Sequence, residues 1–566
     1  MSGRSGRPPI RVGHLRRLVM CMGLVAATVV IGKPQAQARP AAATPGLRPS
    51  LSVAQRDGRD LGAVPAQTQV TALVTLASRD PAGLAALAGG NPHLTAARYA
   101  TAFGADPGAV ASARAALAAA GIGSRWTPGS RQLYVEGHAS AVSSFFGVAI
   151  HRYVGPDGTR FYARVSQPAV PAVLSAVATS VSGLTDYAVP TRAIPAGGIK
   201  PADIRRFYDI QSLLDAGIDG TGITVVFPES SLVDPANFDA FTSKFNLPPM
   251  HVTVRTDPAW GSPDKAGSEA SVEAEMDVEI VHAVAPGARE VIYAAGSNLV
   301  AAEEQAITDD PGGVLSSSLG PCEEPNASGK AEADAFGQVT QHAATTGVTF
   351  FDASGDSGAY GCAPPRWGDD GGDLLTSIPN SSPFATSVGG TSAFLAKDSA
   401  FFRETCWSSQ VALGGSGGGL SRFYSRPSWQ TGPGVANQYS NGMRQVPDVA
   451  AVADVATPYD IISGGRDQNG DGTSAAAPLW AGVAALIDQD LQKKGLSSIG
   501  FANPALYFFG QNSASLPAPP YHDITEGNNL FYPATTGWDY CTGWGTPDVA
   551  NLMVDFEMYE QQHPHS

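Results

Sequence analysis

The sequence predicts an α/β fold in two unequal parts, a larger C-terminal domain with a mostly parallel central sheet and a smaller α+β domain ahead of it. Three observations carry that expectation. Short apolar runs ending in turns recur at 222–229, 287–296, 313–320 and 347–355, with helix-length segments such as 332–347 between them. This is the pattern of buried parallel strands covered by helices. The region before them mixes strand and helix periodicities within a short span. Charge also changes sign along the chain: residues 1–200 hold 20 Lys and Arg against 7 Asp and Glu, whereas 201–566 hold 16 against 44. At 566 residues and 43% hydrophobic content the chain can fill more than one core. An acidic body repels phosphates, so nucleic acid and anionic membranes are poor partners for it.

Arg11, Arg16 and Arg17 precede the apolar stretch 18–31, and small residues follow as far as Ala36-Gln37-Ala38. This is the layout of a signal peptide over 1–38, cut after Ala38, and it predicts a secreted, extracellular product. The apolar stretch is shorter than the ~20 residues a bilayer span needs, so no stable membrane insertion is expected. Removal would discard Cys21 and leave Cys322, Cys362, Cys406 and Cys541. An exported chain allows two disulfides among them in three connectivities, against free buried thiols as the alternative.

Residues 39–190 form the smaller domain, with strands at 69–76 and 131–137 and helical patterns at 106–121 and 168–184. The Pro- and Gly-rich segment 190–203 reads as an exposed connection. Residues 191–566 form the larger domain. Asn326-Ala327-Ser328 and Asn380-Ser381-Ser382 are glycosylation acceptors if the host has that pathway.

Three acidic positions and one hydroxyl stand out in the larger domain. Ser474 lies between the glycine turn Gly470-Asp471-Gly472 and an apolar helical run, where its hydroxyl would meet the positive end of a helix. It either caps that helix or serves as a nucleophile, and a nucleophile needs a base. Glu273 and Asp277 are spaced i,i+4 within 268–287, which puts both carboxyls on one helical face. Glu269 extends that face, while Glu275 and Glu279 point elsewhere. If the pair faces a cleft it favours a shared proton; otherwise it is an acidic helix surface. Asp356 follows a strand in a Gly-flanked turn and, if protonated, can donate to a developing oxyanion. Asp467, Asn469, Asp471 and Gly472 imitate an EF-hand opening, but Pro478 stands where the closing Glu belongs.

The segments E-A-E-M-D at 273–277, A-S-G-D-S-G at 353–358 and G-T-S-A-A-A-P at 472–478, in this order behind a large pro-like region, resemble the sedolisin family of serine-carboxyl peptidases. The resemblance spans the exported chain. It implies a subtilisin-like catalytic domain and an acid-active peptidase, read as an endopeptidase acting on peptides or proteins. Glu273 would be the general base, Asp277 its neighbour, Asp356 the oxyanion-side acid and Ser474 the acyl nucleophile. A tripeptidyl-peptidase, a histidine-dependent subtilisin-like protease and a calcium-stabilised extracellular binding or adhesion protein without turnover are the alternatives. Against the histidine mechanism, His251, His282, His342 and His522 lie in no H-G-T-H stretch, and none forms HExxH. Glu229 either extends the acidic network or ends a strand at the surface. Leu319 stands where some relatives carry Trp.

The resemblance further implies a structural Ca2+ held by the side chains of Asp523 and Asp539 and the carbonyls of Ile524, Thr535 and Gly537. It also implies a prodomain that inhibits its own catalytic domain until cleavage near 185–200. Opposite charges on the two domains would attract near neutral pH and separate in acid. The chain is expected to act as a monomer.

Overall fold

The structure is a computed structural model that describes residues 55–563 except 56–57, 89–93, 95, 127–130, 156–159, 167, 186–197, 297, 362–372 and 410–413. The expected signal segment 1–38, Cys362 and residues 190–197 of the expected connection lie outside the described residues. The described residues pack as one compact unit. No described helix is long and apolar enough to cross a membrane.

The larger domain is built on an eight-stranded sheet. Its strands are β1 (Thr224–Glu229), β2 (Val252–Thr256), β3 (Arg289–Ala294), β4 (Val314–Ser317), β5 (Thr349–Ala353), β6 (Thr386–Leu395), β7 (Phe401–Cys406) and β8 (Val449–Val452). They run in the order β7-β6-β5-β4-β1-β3-β2, with β8 beside β6. Every pairing is parallel except β6 with β7. The four strands expected from the sequence are therefore present with trimmed ends.

Four helices cover the sheet: α1 (Glu269–Val284), α2 (Leu299–Asp309), α3 (Ala327–Thr346) and α4 (Thr473–Lys493). Ser268 caps α1 by accepting from Ser271 N at 3.3 Å, and Asn326 caps α3 by accepting from Gly329 N at 3.0 Å. Successive strand residues face opposite sides of a sheet. Thus Val225 and Phe227 join Val281 of α1 and Leu479 of α4 in one core, whereas Val226 joins Ile307 of α2 and Val339 of α3 in another. The α1/α4 face carries Ser474 together with Glu273 and Asp277.

The smaller domain holds a four-stranded antiparallel sheet in the order Gly123–Arg125, Gln132–His138, Gln69–Leu76, Ala178–Gly183. The helices Pro107–Ala119 and Ala139–Phe146 supply Leu117 and Val142 to its core. One sequence expectation fails here. The helix expected over 168–184 is a turn followed by the strand Ala178–Gly183. Pro168 and Pro171 lack the N–H groups a helix needs, and the Thr/Ser/Val run that follows completes the sheet beside Gln69–Leu76.

The smaller domain docks on α3 and on Asp257 through arginines. Arg131 Nη2 donates to Gln338 O at 3.1 Å, Arg164 pairs with Glu332 and Ser328, and Arg125 donates to Asp257 at 3.1 Å. The ring of His342 stacks on Tyr99 at 3.7 Å. The end of the expected connection is structured: Ile199 bridges Tyr459, and a helix runs over Pro201–Phe207 with Ile204 and Phe207 buried.

Buried carboxyls recur through the larger domain. Glu404 accepts from Tyr208 OH at 2.9 Å and from Thr391 Oγ1 at 2.6 Å, yet burial pushes it up to about 7. Burial likewise pushes Asp488 up to about 7. A carboxyl raised on folding contributes stability that is full below its unfolded value near ~4 and is lost as pH climbs through the folded value. His522 acts in the opposite sense, since burial pushes it down to about 4 and its contribution disappears as pH falls. The loss of Tm between about pH 5 and 7.5 is therefore expected to be smaller in Asp488→Asn than in the parent chain, because His522 cancels in the comparison. Calorimetry across that range checks it; equal losses would contradict it.

Candidate active site

A glycine turn delivers Ser474 to the first turn of α4. Gly472 takes φ +89°, and a Cβ there would stand 2.7 Å from Asp356 Oδ2. Only glycine fits both the backbone and the space. Asp356 reaches the same point from the end of β5. Its Oδ1 accepts from Thr473 N at 2.7 Å and from Thr473 Oγ1 at 2.9 Å, and Thr473 Oγ1 in turn accepts from Gly355 N at 2.9 Å. Burial pushes the Asp356 carboxyl up, against the downward pull of the two Thr473 hydrogen bonds. With Oδ1 occupied, a proton on Oδ2 would make this group a donor one residue from Ser474, which is itself buried.

A group of carboxyls lies along α1 and the end of β1. Glu273 and Asp277 are both buried, so they do not form an exposed acidic surface. Glu229, at the end of β1, is fully buried, which decides against a surface role. Burial, then the charge of Glu273, pushes Glu229 well above the usual carboxylate range. Asp277 is pushed in the same direction by burial and then by the charges of Glu229 and Glu273, while a hydrogen bond from Ser318 opposes the shift. With every carboxyl ionised, no side chain among the described residues donates to Glu229 Oε1 and Oε2 or to Asp277 Oδ1, and only the Ser230 N–H acts on Glu229. A proton held between Glu229 and Asp277 supplies a donor. The remaining glutamates of α1 serve other contacts: Glu275 accepts from Asp234 N at 2.9 Å and Glu279 from Ile462 N at 2.8 Å, while Glu269 is exposed.

Ser318 links this group to Ser474. Its Oγ lies 2.7 Å from Asp277 Oδ2 and 3.3 Å from the carbonyl of Ser474. Sequence reading missed Ser318 and Thr473, although a hydroxyl just beyond a strand end is a signal that could have found Ser318.

The internal histidines are engaged elsewhere. His282 contacts Glu290 at 3.2 Å and Pro248 O at 2.8 Å, His342 stacks on Tyr99, and His522 stacks on Phe401 at 3.7 Å. His251 is exposed near Glu290. Asp467 and Asn469 belong to a hairpin strand, where Asp467 pairs with Lys244 at 3.2 Å.

Asp523 and Asp539 meet in the C-terminal loop. Asp523 Oδ2 accepts from Gly537 N at 3.0 Å, and Asp539 accepts from Thr535 N at 2.7 Å, Cys541 N at 2.8 Å and Thr542 N at 2.9 Å. Burial pushes Asp539 up to about 7, with the charge of Asp523 adding to the shift. Among the described residues no group of three or more His, Cys, Asp or Glu is gathered for a metal. Two facing carboxyls with spare lone pairs, in a loop that also holds the carbonyls of Ile524, Thr535 and Gly537, fit a hard, oxygen-seeking cation. A Cys406–Cys541 disulfide ties β7 to this loop, and Cys322 is disulfide-bonded as well. Asn380 is fully buried and cannot accept a glycan in the folded chain, whereas Asn326 is exposed.

Comparison with known proteins agrees with this arrangement. Residues 56–187 match the Pro-kumamolisin activation domain and residues 266–503 match the Subtilase family. Kumamolisin of Bacillus sp. (strain MN-32) is 32% identical over 453 residues, covering 74% of this chain and 77% of that protein. Tripeptidyl-peptidase sed4 of Aspergillus fumigatus is 26% identical over 444 residues, covering 66% and 70%. The solved structure of Pseudomonas sedolisin, a serine-carboxyl proteinase complexed with two molecules of pseudo-iodotyrostatin, superposes with a TM-score of 0.56 at 29% identity, covering 64% of this chain and 99% of that one. An activation domain followed by a subtilisin-like domain, with similarity extending over three quarters of the chain, makes this protein a member of the sedolisin family of serine-carboxyl peptidases.

Proposed function

We propose that the chain is a secreted, acid-active endopeptidase that forms an acyl-enzyme on Ser474. Glu273 is the general base, Asp277 its proton-sharing neighbour and Asp356 the oxyanion-side acid. The observation that carries this reading is the buried carboxyl group of Glu229, Glu273 and Asp277, joined to Ser474 through Ser318. No basic side chain contributes to the shifts of Glu229 or Asp277. Such a group holds protons in acid and can exchange one with a hydroxyl.

In the proposed sequence Ser474 Oγ attacks the peptide carbonyl as its proton passes to Glu273. Protonated Asp356 donates to the oxyanion, and Glu273 returns a proton to the leaving amine. A water molecule then repeats the attack on the acyl-enzyme with Glu273 again as base. Asp277 keeps the charge on Glu273 within a shared pair, doing in acid what an imidazole does near neutrality.

The N-terminal domain is proposed to hold the precursor inactive until cleavage near 185–200. Its arginines face acceptors on α3 and Asp257, and acid protonates carboxylates on that interface. The C-terminal loop is proposed to hold Ca2+ through Asp523 and Asp539 with the carbonyls of Ile524, Thr535 and Gly537. When bound, the cation neutralises two adjacent carboxylates and stiffens the loop.

Glu273→Gln, Asp277→Asn, Asp356→Asn and Ser474→Ala are each expected to keep the fold and to lower kcat/KM on a peptide at acid pH by roughly 10²-fold or more. Mass identification of products reads the mode; release of successive N-terminal tripeptides would replace the endopeptidase reading, and full turnover by folded Ser474→Ala would end the acyl-enzyme one. Rigorous chelation is expected to lower Tm, with recovery on adding Ca2+ but not Zn2+; an unchanged Tm rejects the calcium assignment. Replacing Arg131 and Arg164 by Ala is expected to speed acid processing, followed by N-terminal sequencing; an intact chain with full activity would show that processing is not required.

A further inference from the structure

The carbonyl of Ser474 has lost its ordinary helical donor. In an α-helix it would accept from the N–H four residues on, but that residue is Pro478, inside α4. The Ser318 hydroxyl lies 3.3 Å from this carbonyl and 2.7 Å from Asp277 Oδ2. A serine hydroxyl carries one hydrogen and can also accept. It can therefore serve only one of these two acceptors at a time, and which one depends on whether Asp277 Oδ2 carries a proton.

We propose that Ser318 is a positioning residue that couples the protonation of Asp277 to the backbone of the nucleophile. With Asp277 ionised, Ser318 donates to Oδ2 and the Ser474 carbonyl goes without that donor. With Oδ2 protonated, the carboxyl O–H donates to Ser318 Oγ, and the serine hydrogen turns to the Ser474 carbonyl. The turn carrying Ser474 is then held in the protonated state by a hydrogen bond that Pro478 denies it from within the helix. The inference rests on the proposed roles of Asp277 and Ser474 and adds a residue to them.

The groups facing Asp277 define the sign of the effect. Glu273 faces it from its own helix and Glu229 from β1, both acidic. Ser318 follows β4, and α4 contributes the Ser474 carbonyl. Ser318 bonds to Asp277 in both states, but donation to the charged carboxylate is the stronger bond, so Ser318 favours the ionised form of Asp277. Its removal makes Asp277 hold its proton to higher pH, and the low-pH limb of activity moves upward.

Ser318→Ala in the full chain is expected to shift that limb of the kcat profile upward by about one pH unit, the size of a single hydrogen bond to a charged group. KM is expected to stay within about twofold, because the residue acts through Asp277 and not on substrate. Ser318→Thr, which keeps the hydroxyl, is expected to restore the parent profile. A uniform loss of rate without a shift, or a shift that Ser318→Thr does not reverse, overturns the proposal.

A second measurement needs no cleavage. In a Ser474→Ala background, the infrared band of a protonated carboxyl that vanishes in Asp277→Asn is expected to titrate at higher pH when Ser318 is Ala. An identical midpoint with and without the hydroxyl overturns the proposal. Cleavage by Ser474→Ala itself would instead overturn the acyl-enzyme reading, so the two failures are distinct.

Discussion

Desolvation of the Glu229 and Asp277 carboxyls, to whose shifts no basic side chain contributes, is the constraint on which the site depends. Glu229 and Asp277 are fully buried, lie within each other's field and also feel Glu273. Charges in a low-dielectric interior cannot all persist together, so at least one proton must be retained. In the proposed mechanism an acidic working range and a carboxyl base thereby become one property. A site relying on a neutral imidazole would be switched off in the medium where these carboxyls hold the protons they exchange.

The helix that presents Ser474 meets the same constraint from the other side. Its first turn is closed by Asp356 through Thr473 and opened by Pro478, and the space for the Asp356 carboxyl exists because Gly472 has no side chain. With Ser318 on the Ser474 carbonyl, three chain segments far apart in sequence therefore share one short turn. The parallel sheet makes that possible, since β1, β4 and β5 all deliver their C-terminal ends to the same edge of the domain, where open α/β folds commonly place their chemistry.

Much of this was legible in the sequence because it is local. The i,i+4 pair Glu273 and Asp277, the Gly-flanked Asp356 and the glycine turn before Ser474 each announce themselves within a few residues. The parallel strands were readable as short apolar runs ending in turns. What stayed hidden depends on partners distant along the chain. Ser318 sits in a run of three serines whose meaning comes from Asp277, 41 residues away, and Ser474, 156 residues away. Glu229 reads equally as a surface strand end until the fold buries it. The segment 178–183 looked helical because Ala and Val suit both states, and only its neighbouring strand decides between them.

The covering domain brings its arginines to α3 and Asp257, and in the proposed activation it takes them along. Glu332 and Asp257 then lose the guanidinium groups that neutralise them. Cutting one bond therefore alters more than chain length: the shortened product has a lower isoelectric point and a more anionic flank than its parent, and the two forms should separate on an anion-exchange column.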